Sequence, residues 1–206
     1  MQKILIIVDF QNDFCDPKGS LYVNGASMAK EAIMKYIHDN KDIDTVLFTL
    51  DWHTMEHCSF NCNGGEWPVH CVQHTWGSQI DDDLINCIKY NNKKMMCIEK
   101  GTVDDCEEYG AFIRIEKTES NLNGEQTLRY NLFGLDVNWP YYIELDDDET
   151  NFVICGLAGD YCVLETLKNL VNCGYFNIEI LKDGIASIDG GEKLNEYVEE
   201  MGLKYI

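Results

Sequence analysis

Residues suited to acyl transfer recur in this chain at one kind of position, directly after a short apolar run. Asp9 follows the run at 4–8, Asp51 the run at 45–50 and Lys100 the run at 95–99; Cys162 follows the run at 152–155 across a turn containing Gly156 and Gly159. From Asp160 onward the apolar residues Val163, Leu164, Leu167 and Leu170 recur at helical spacing, so Cys162 stands at a helix start. A helix N-terminus carries partial positive charge and unpaired N–H groups, which ease thiol ionisation and can hold an oxyanion. Asp9 can take the thiol proton, and Lys100 can hold the thiolate and keep Asp9 ionised until needed. The expected chemistry is attack of Cys162 on a carbonyl, with backbone N–H groups near Ala158 and Cys162 stabilising the oxyanion. A buried Asp–Lys pair beside an inert cysteine would account for any one of these residues, but less well for all three at the strand ends of one sheet. Cys155, the rival nucleophile, lies inside an apolar run and reads as inert core.

A second constellation follows the second run. Asp51 and His53 alternate along an extended segment and can point to one side. His70 would fold back to join them, with His57 either a further ligand or a group behind the ligands. One carboxylate and two or three imidazoles suit a divalent metal, zinc first, with iron and manganese as alternatives. A weaker competing reading is a structural zinc site from Cys58, Cys62, His70 and Cys71; the adjacent His70 and Cys71 make it awkward. His38 and His74 read as surface or capping residues.

The elements that must position these groups follow from periodicity. Apolar runs at 4–8, 45–50, 95–99, 152–155, 178–181 and 203–206 read as strands, and segments 28–37, 81–90, 160–170 and 191–202 as helices. The stretches 10–25 and 52–78 read as loops, the latter rich in His, Cys, Gly and Trp. Residues 109–112 read as a short helix or turn, 128–135 as helical, 141–145 as an extra strand and 146–149 as a solvated acidic loop. Alternation of this kind implies an α/β fold: a doubly wound, mainly parallel six-stranded sheet with helices on both faces, whose sites lie beyond the carboxyl ends of the strands.

At 206 residues the chain reads as a single domain, with 116–150 its least legible segment. A net charge of −20 argues against nucleic acid or an anionic membrane as partner. No apolar run is long enough to span a bilayer, and the N-terminal segment lacks the apolar stretch of a signal peptide, so the expected location is cytoplasmic. Under that expectation the ten cysteines read as free thiols.

Taken together, the segments IIVDFQNDF with GSLYVNGA, DWHTMEHCSF, GGEWPVHCVQHTWGS, EKGT and VICGLAGDYCV resemble the nicotinamidases of the isochorismatase-like cysteine hydrolases, in that family's order from residue 4 to about residue 170. The resemblance implies a catalytic triad of Asp9, Lys100 and Cys162, and metal ligands Asp51, His53 and His70, with His57 a fourth ligand in some members. It implies a cis peptide between Leu157 and Ala158 that shapes the oxyanion hole, and a nicotinamide pocket walled by Phe14, Trp67, Tyr109 and Tyr161. The implied reaction is hydrolysis of nicotinamide to nicotinate and ammonia in NAD salvage. Alternatives are an amidase for another small amide and a silent binding protein of the same fold. The implied partner is the small-molecule substrate, with a homo-oligomer as a further expectation. Pro17-Lys18-Gly19, Gly110, His74, Trp76 and Gly159 depart from the family pattern without touching a triad or ligand position.

Overall fold

In a computed structural model the chain is described at residues 2–112, 128–129, 144–145 and 150–206. In order, its elements are β1 (Gln2–Val8), α1 (Asn12–Cys15), α2 (Ala26–Asp39), β2 (Thr45–Asp51), α3 (Asp82–Tyr90), β3 (Lys94–Lys100), β4 (Leu128–Arg129), β5 (Glu144–Leu145), β6 (Thr150–Leu157), α4 (Leu164–Asn172), β7 (Ile178–Ala186), α5 (Glu192–Glu200) and β8 (Lys204–Tyr205). Six strands form one sheet in the order β3-β2-β1-β6-β7-β8, every neighbouring pair parallel. The central strands are continuous apolar runs because helices cover both faces. On β1 the side chains alternate: Ile4, Ile6 and Val8 join the core formed with α4 and α5, whereas Leu5 and Ile7 join the core formed with α2 and α3. Each fully buried Ile or Leu contributes roughly 1.5–3 kcal/mol.

Strand order reverses beside β1. The chain builds outward through β2 and β3 on one side, then returns to lay β6, β7 and β8 on the other. At such a switch point the connections leave in opposite directions and open a crevice at the carboxyl ends. Asp9 ends one of the two flanking strands, and the turn bearing Cys162 ends the other.

Local chemistry sets the helix ends. The Asp81 carboxylate accepts from the Asp83 and Leu84 N–H groups and caps α3. The Lys30 ammonium, 2.9 Å from that carboxylate, ties α2 to α3.

Several elements differ from expectation. Residues 128–129 are strand, not helix, because Leu128 and Arg129 pair antiparallel with Leu145 and Glu144; cross-strand pairing outweighs a weak helical preference. The rest of 128–135, the 141–143 part of the extra strand and the acidic run 146–149 lie outside the described residues. Residues 109–112, expected as a short helix or turn, form a bend and no helix, since their backbone groups bond to α4. The Ala111 N–H donates to Thr166 Oγ1 at 3.2 Å, and Asn169 Nδ2 donates to the Ala111 carbonyl at 2.7 Å. The helix expected from Asp160 begins with a wide π-type turn, Gly159–Val163, before α4. The strand expected at 178–181 runs on to Ala186, and the last strand shortens to Lys204–Tyr205.

Candidate active site

Asp9, Lys100 and Cys162 arrive from three different elements and meet in the crevice. Lys100 Nζ lies 2.8 Å from Asp9 Oδ2 and 3.7 Å from Cys162 Sγ, and it donates to Asp51 Oδ1. All three side chains are buried. Burial pushes the Asp9 carboxyl above its ordinary value, against the pull of Lys100. Burial also pushes the Cys162 thiol up, with Lys100 opposing. Lys100 itself titrates well above the usual lysine range, because Asp51 and Asp9 together outweigh the burial that would lower it. Lys100 thus lies between the Asp9 and Asp51 carboxyl groups and against the Cys162 sulfur. A carboxyl raised by burial is a better proton acceptor than one in water.

The turn that presents Cys162 is built around backbone geometry. At Gly156 φ is +120°, and a β-carbon there would run into the Val8 backbone, so glycine lets β6 approach β1. The Leu157–Ala158 peptide is cis, as the family resemblance implied. The Ala158 carbonyl accepts from the Tyr161 and Val163 N–H groups, each at 3.1 Å, closing the turn around the cysteine.

Asp51, His53 and His70 also converge. Their ligand atoms lie within 4.8 Å of one another, and all three residues are buried. His53 Nδ1 lies 2.8 Å from the Gly101 carbonyl, and His70 Nδ1 lies 2.7 Å from the Pro68 carbonyl. A carbonyl only accepts, so each neutral ring keeps its proton on Nδ1 and turns a bare Nε2 lone pair inward. Those nitrogens lie 3.7 and 3.8 Å from Asp51 Oδ2. Two inward imidazole lone pairs and one carboxylate fit a divalent cation with positions left open. A second convergence, Asp9, Asp51 and Cys162, surrounds the Lys100 ammonium, which already supplies its positive charge.

His57 stands outside the ligand cluster. Its ring stacks on His53 at 4.0 Å between centroids, with Nδ1 2.8 Å from Ser59 Oγ and Nε2 3.2 Å from the Cys106 carbonyl. The alternative cysteine site does not assemble among the described residues: Cys71 is fully buried, Cys58 half-buried and Cys62 exposed. No disulfide forms among the described residues. His74 packs edge-on against Trp52 instead.

Phe14, Trp67, Tyr109 and Tyr161 all line one open cavity, together with Cys162, Ala158, Asp51 and His70. Trp67 Nε1 donates to Tyr109 Oη at 2.9 Å, and Trp67 and Tyr161 meet edge to face at 5.2 Å. The walls therefore suit a flat aromatic ring. The rim is tied down beside the cysteine. Tyr161 Oη donates to Asp189 Oδ2 at 2.8 Å, and the Asp160 carboxylate accepts from the Ile188 N–H at 3.0 Å and from the Asp189 N–H.

Sequence reasoning missed several supporting residues. Thr49 Oγ1 donates to Asp9 Oδ1 at 2.6 Å, and Thr49 is fully buried. Its signal was a hydroxyl inside an otherwise apolar strand. Gln11 grips the Asp51 backbone from both sides, its Nε2 donating to the carbonyl at 2.7 Å and its Oε1 accepting from the N–H at 2.8 Å. Leu21, Val23, Glu107 and Ile188 complete the cavity wall, and nothing in their spacing announced it.

No family model matches the chain. A nicotinamidase of Saccharomyces cerevisiae is 30% identical over 224 residues, 97% of this chain and 95% of that protein. The crystal structure of the yeast nicotinamidase bound to the inhibitor nicotinaldehyde superposes with a TM-score of 0.71 at 25% identity, covering 100% of this chain and 99% of that one. The crystal structure of a Pyrococcus horikoshii pyrazinamidase in complex with zinc gives a TM-score of 0.68 at 26% identity, with the same coverage.

Proposed function

The chain belongs to the nicotinamidase family, and from that premise we propose that it hydrolyses nicotinamide to nicotinate and ammonia through a thioester on Cys162. The observation that carries this reading is the meeting of Asp9, Lys100 and Cys162 with an Asp51/His53/His70 donor set in one aromatic-walled cavity.

Asp9 takes the Cys162 proton as sulfur attacks the carboxamide carbon, while Lys100 offsets the negative charge passing through the cluster. The carbonyl oxygen becomes an oxyanion held by N–H groups around Ala158 and Cys162. Collapse breaks the C–N bond, and the departing nitrogen takes the proton from Asp9 and leaves as ammonia. Water, deprotonated by Asp9, then attacks the thioester; nicotinate departs and the thiol recovers its proton. Phe14, Trp67, Tyr109 and Tyr161 sandwich the ring and exclude bulk water. Asp51, His53 and His70 would hold one divalent ion, zinc first given two imidazoles, which supplies a Lewis-acidic anchor for the ring nitrogen.

Such an enzyme would feed NAD salvage in the cytoplasm. Among the described residues no helix is long and apolar enough to cross a membrane. Self-association into a homo-oligomer is a further expectation, to be read by light scattering. The deciding experiment is ammonia release from nicotinamide, with and without chelator, against the Cys162→Ala variant. Release by wild type alone supports the reading, and equal release by the variant overturns the covalent route. Offering pyrazinamide or a carbamoyl compound in the same assay separates a nicotinamidase from a related small-amide hydrolase.

A further inference from the structure

Glu107 is a charged group in the cavity wall that the reaction described above does not use. It is half-buried. Its Oε1 accepts from the Glu108 N–H at 3.1 Å, and among the described residues no lysine or arginine forms an ion pair with it. It lines the same cavity as Cys162, Asp51 and His70, and burial raises its carboxyl above the ordinary value. The Lys100 ammonium is already shared between Asp9 and Asp51. Apart from Asp51, His70 and Cys162 the other walls named above are aromatic or aliphatic, and the ion that Asp51, His53 and His70 would hold is the anchor for the ring nitrogen, not for the carboxamide.

The reaction changes charge in this place: a neutral carboxamide enters and a carboxylate leaves. A fixed anion in the wall interacts weakly with the first and repels the second. An interaction that grows only on the product side raises the free energy of the product complex without weakening substrate binding to match. Resting on the nicotinamidase reading, we propose that Glu107 is a charge-selectivity residue, which disfavours the pyridine carboxylate relative to the neutral pyridine carboxamide and so hastens product departure.

Glu107→Gln keeps the side chain's size and its hydrogen bond from Glu108 while removing the charge. The readout is the nicotinate inhibition constant divided by the KM for nicotinamide, measured in mildly alkaline, low-salt buffer. The ratio is expected to fall by about 5- to 10-fold in Glu107→Gln. The gap between variant and wild type should narrow in high salt. Glu107→Asp, which retains the charge, should stay near the wild-type ratio; a merely structural role would disturb both variants alike. An unchanged ratio in Glu107→Gln, or an equal fall in both variants, overturns the proposal. If the wild type releases no ammonia from nicotinamide, the functional reading itself fails. Calorimetric titration of nicotinate and nicotinamide into wild type and Glu107→Gln then still decides the charge effect, with unchanged relative affinities the overturning result.

Discussion

Burial pushes the Cys162 thiol up and Lys100 opposes it, so its reactivity depends on the groups around it. Cys162→Ala should abolish ammonia release while leaving circular dichroism and urea midpoint close to wild type; substantial turnover would refute a thioester. Thr49 orients the base through Asp9 Oδ1. Thr49→Val should lower kcat by about tenfold, the worth of one buried hydrogen bond to a charged group. Unaltered kcat would mean that Lys100 alone sets the Asp9 rotamer. His53→Ala and His70→Ala should each lower bound metal, read by atomic emission, along with activity. Full metal retention in the double variant would redirect attention to the cysteines. At this scale the strand-end residues were legible, since charged or thiol side chains directly after apolar runs are conspicuous. Thr49, Gln11 and Glu107 were not, because their roles depend on which backbone or carboxylate stands opposite them.

Among the elements, β6 and α4 carry the nucleophile. Leu167 is fully buried between α4 and the sheet. Leu167→Ala should cost about 3 kcal/mol in urea unfolding, and a loss under about 1 kcal/mol would mean the site collapses around the smaller side chain. Gly156→Ala should be destabilising and should lower activity together, because the added carbon meets the Val8 backbone, directly before Asp9. An active, fully stable variant would show that β6 can shift without moving Cys162. The strands and main helices were readable because a buried parallel sheet demands continuous apolar runs. The π-type turn at Gly159–Val163 and the bend at 109–112 were not: the first answers to the cysteine's placement, the second to partners on α4 distant in sequence.

For the molecule as a whole, a metal that binds only the folded state adds stability by mass action. Removing it with a chelator should lower the melting temperature, and restoring zinc should recover it. The stabilisation is about 2.7 kcal/mol when free metal is a hundredfold above its dissociation constant. A melting temperature indifferent to chelator would argue against an ion bridging β2 and the loop that carries His70. By itself the sequence determined the fold class, the strand-end placement of Asp9, Asp51 and Lys100, and Cys162 as nucleophile candidate. Periodicity and residue type are local properties, and they survive without coordinates. Only the tertiary structure decided that His57 stacks behind His53 instead of joining the donor set, that Nδ1 of both donor histidines is spent on carbonyls, and that Glu107 faces the cavity. Those outcomes depend on angles and distances between segments far apart in the chain, set when two halves of a sheet close on one crevice.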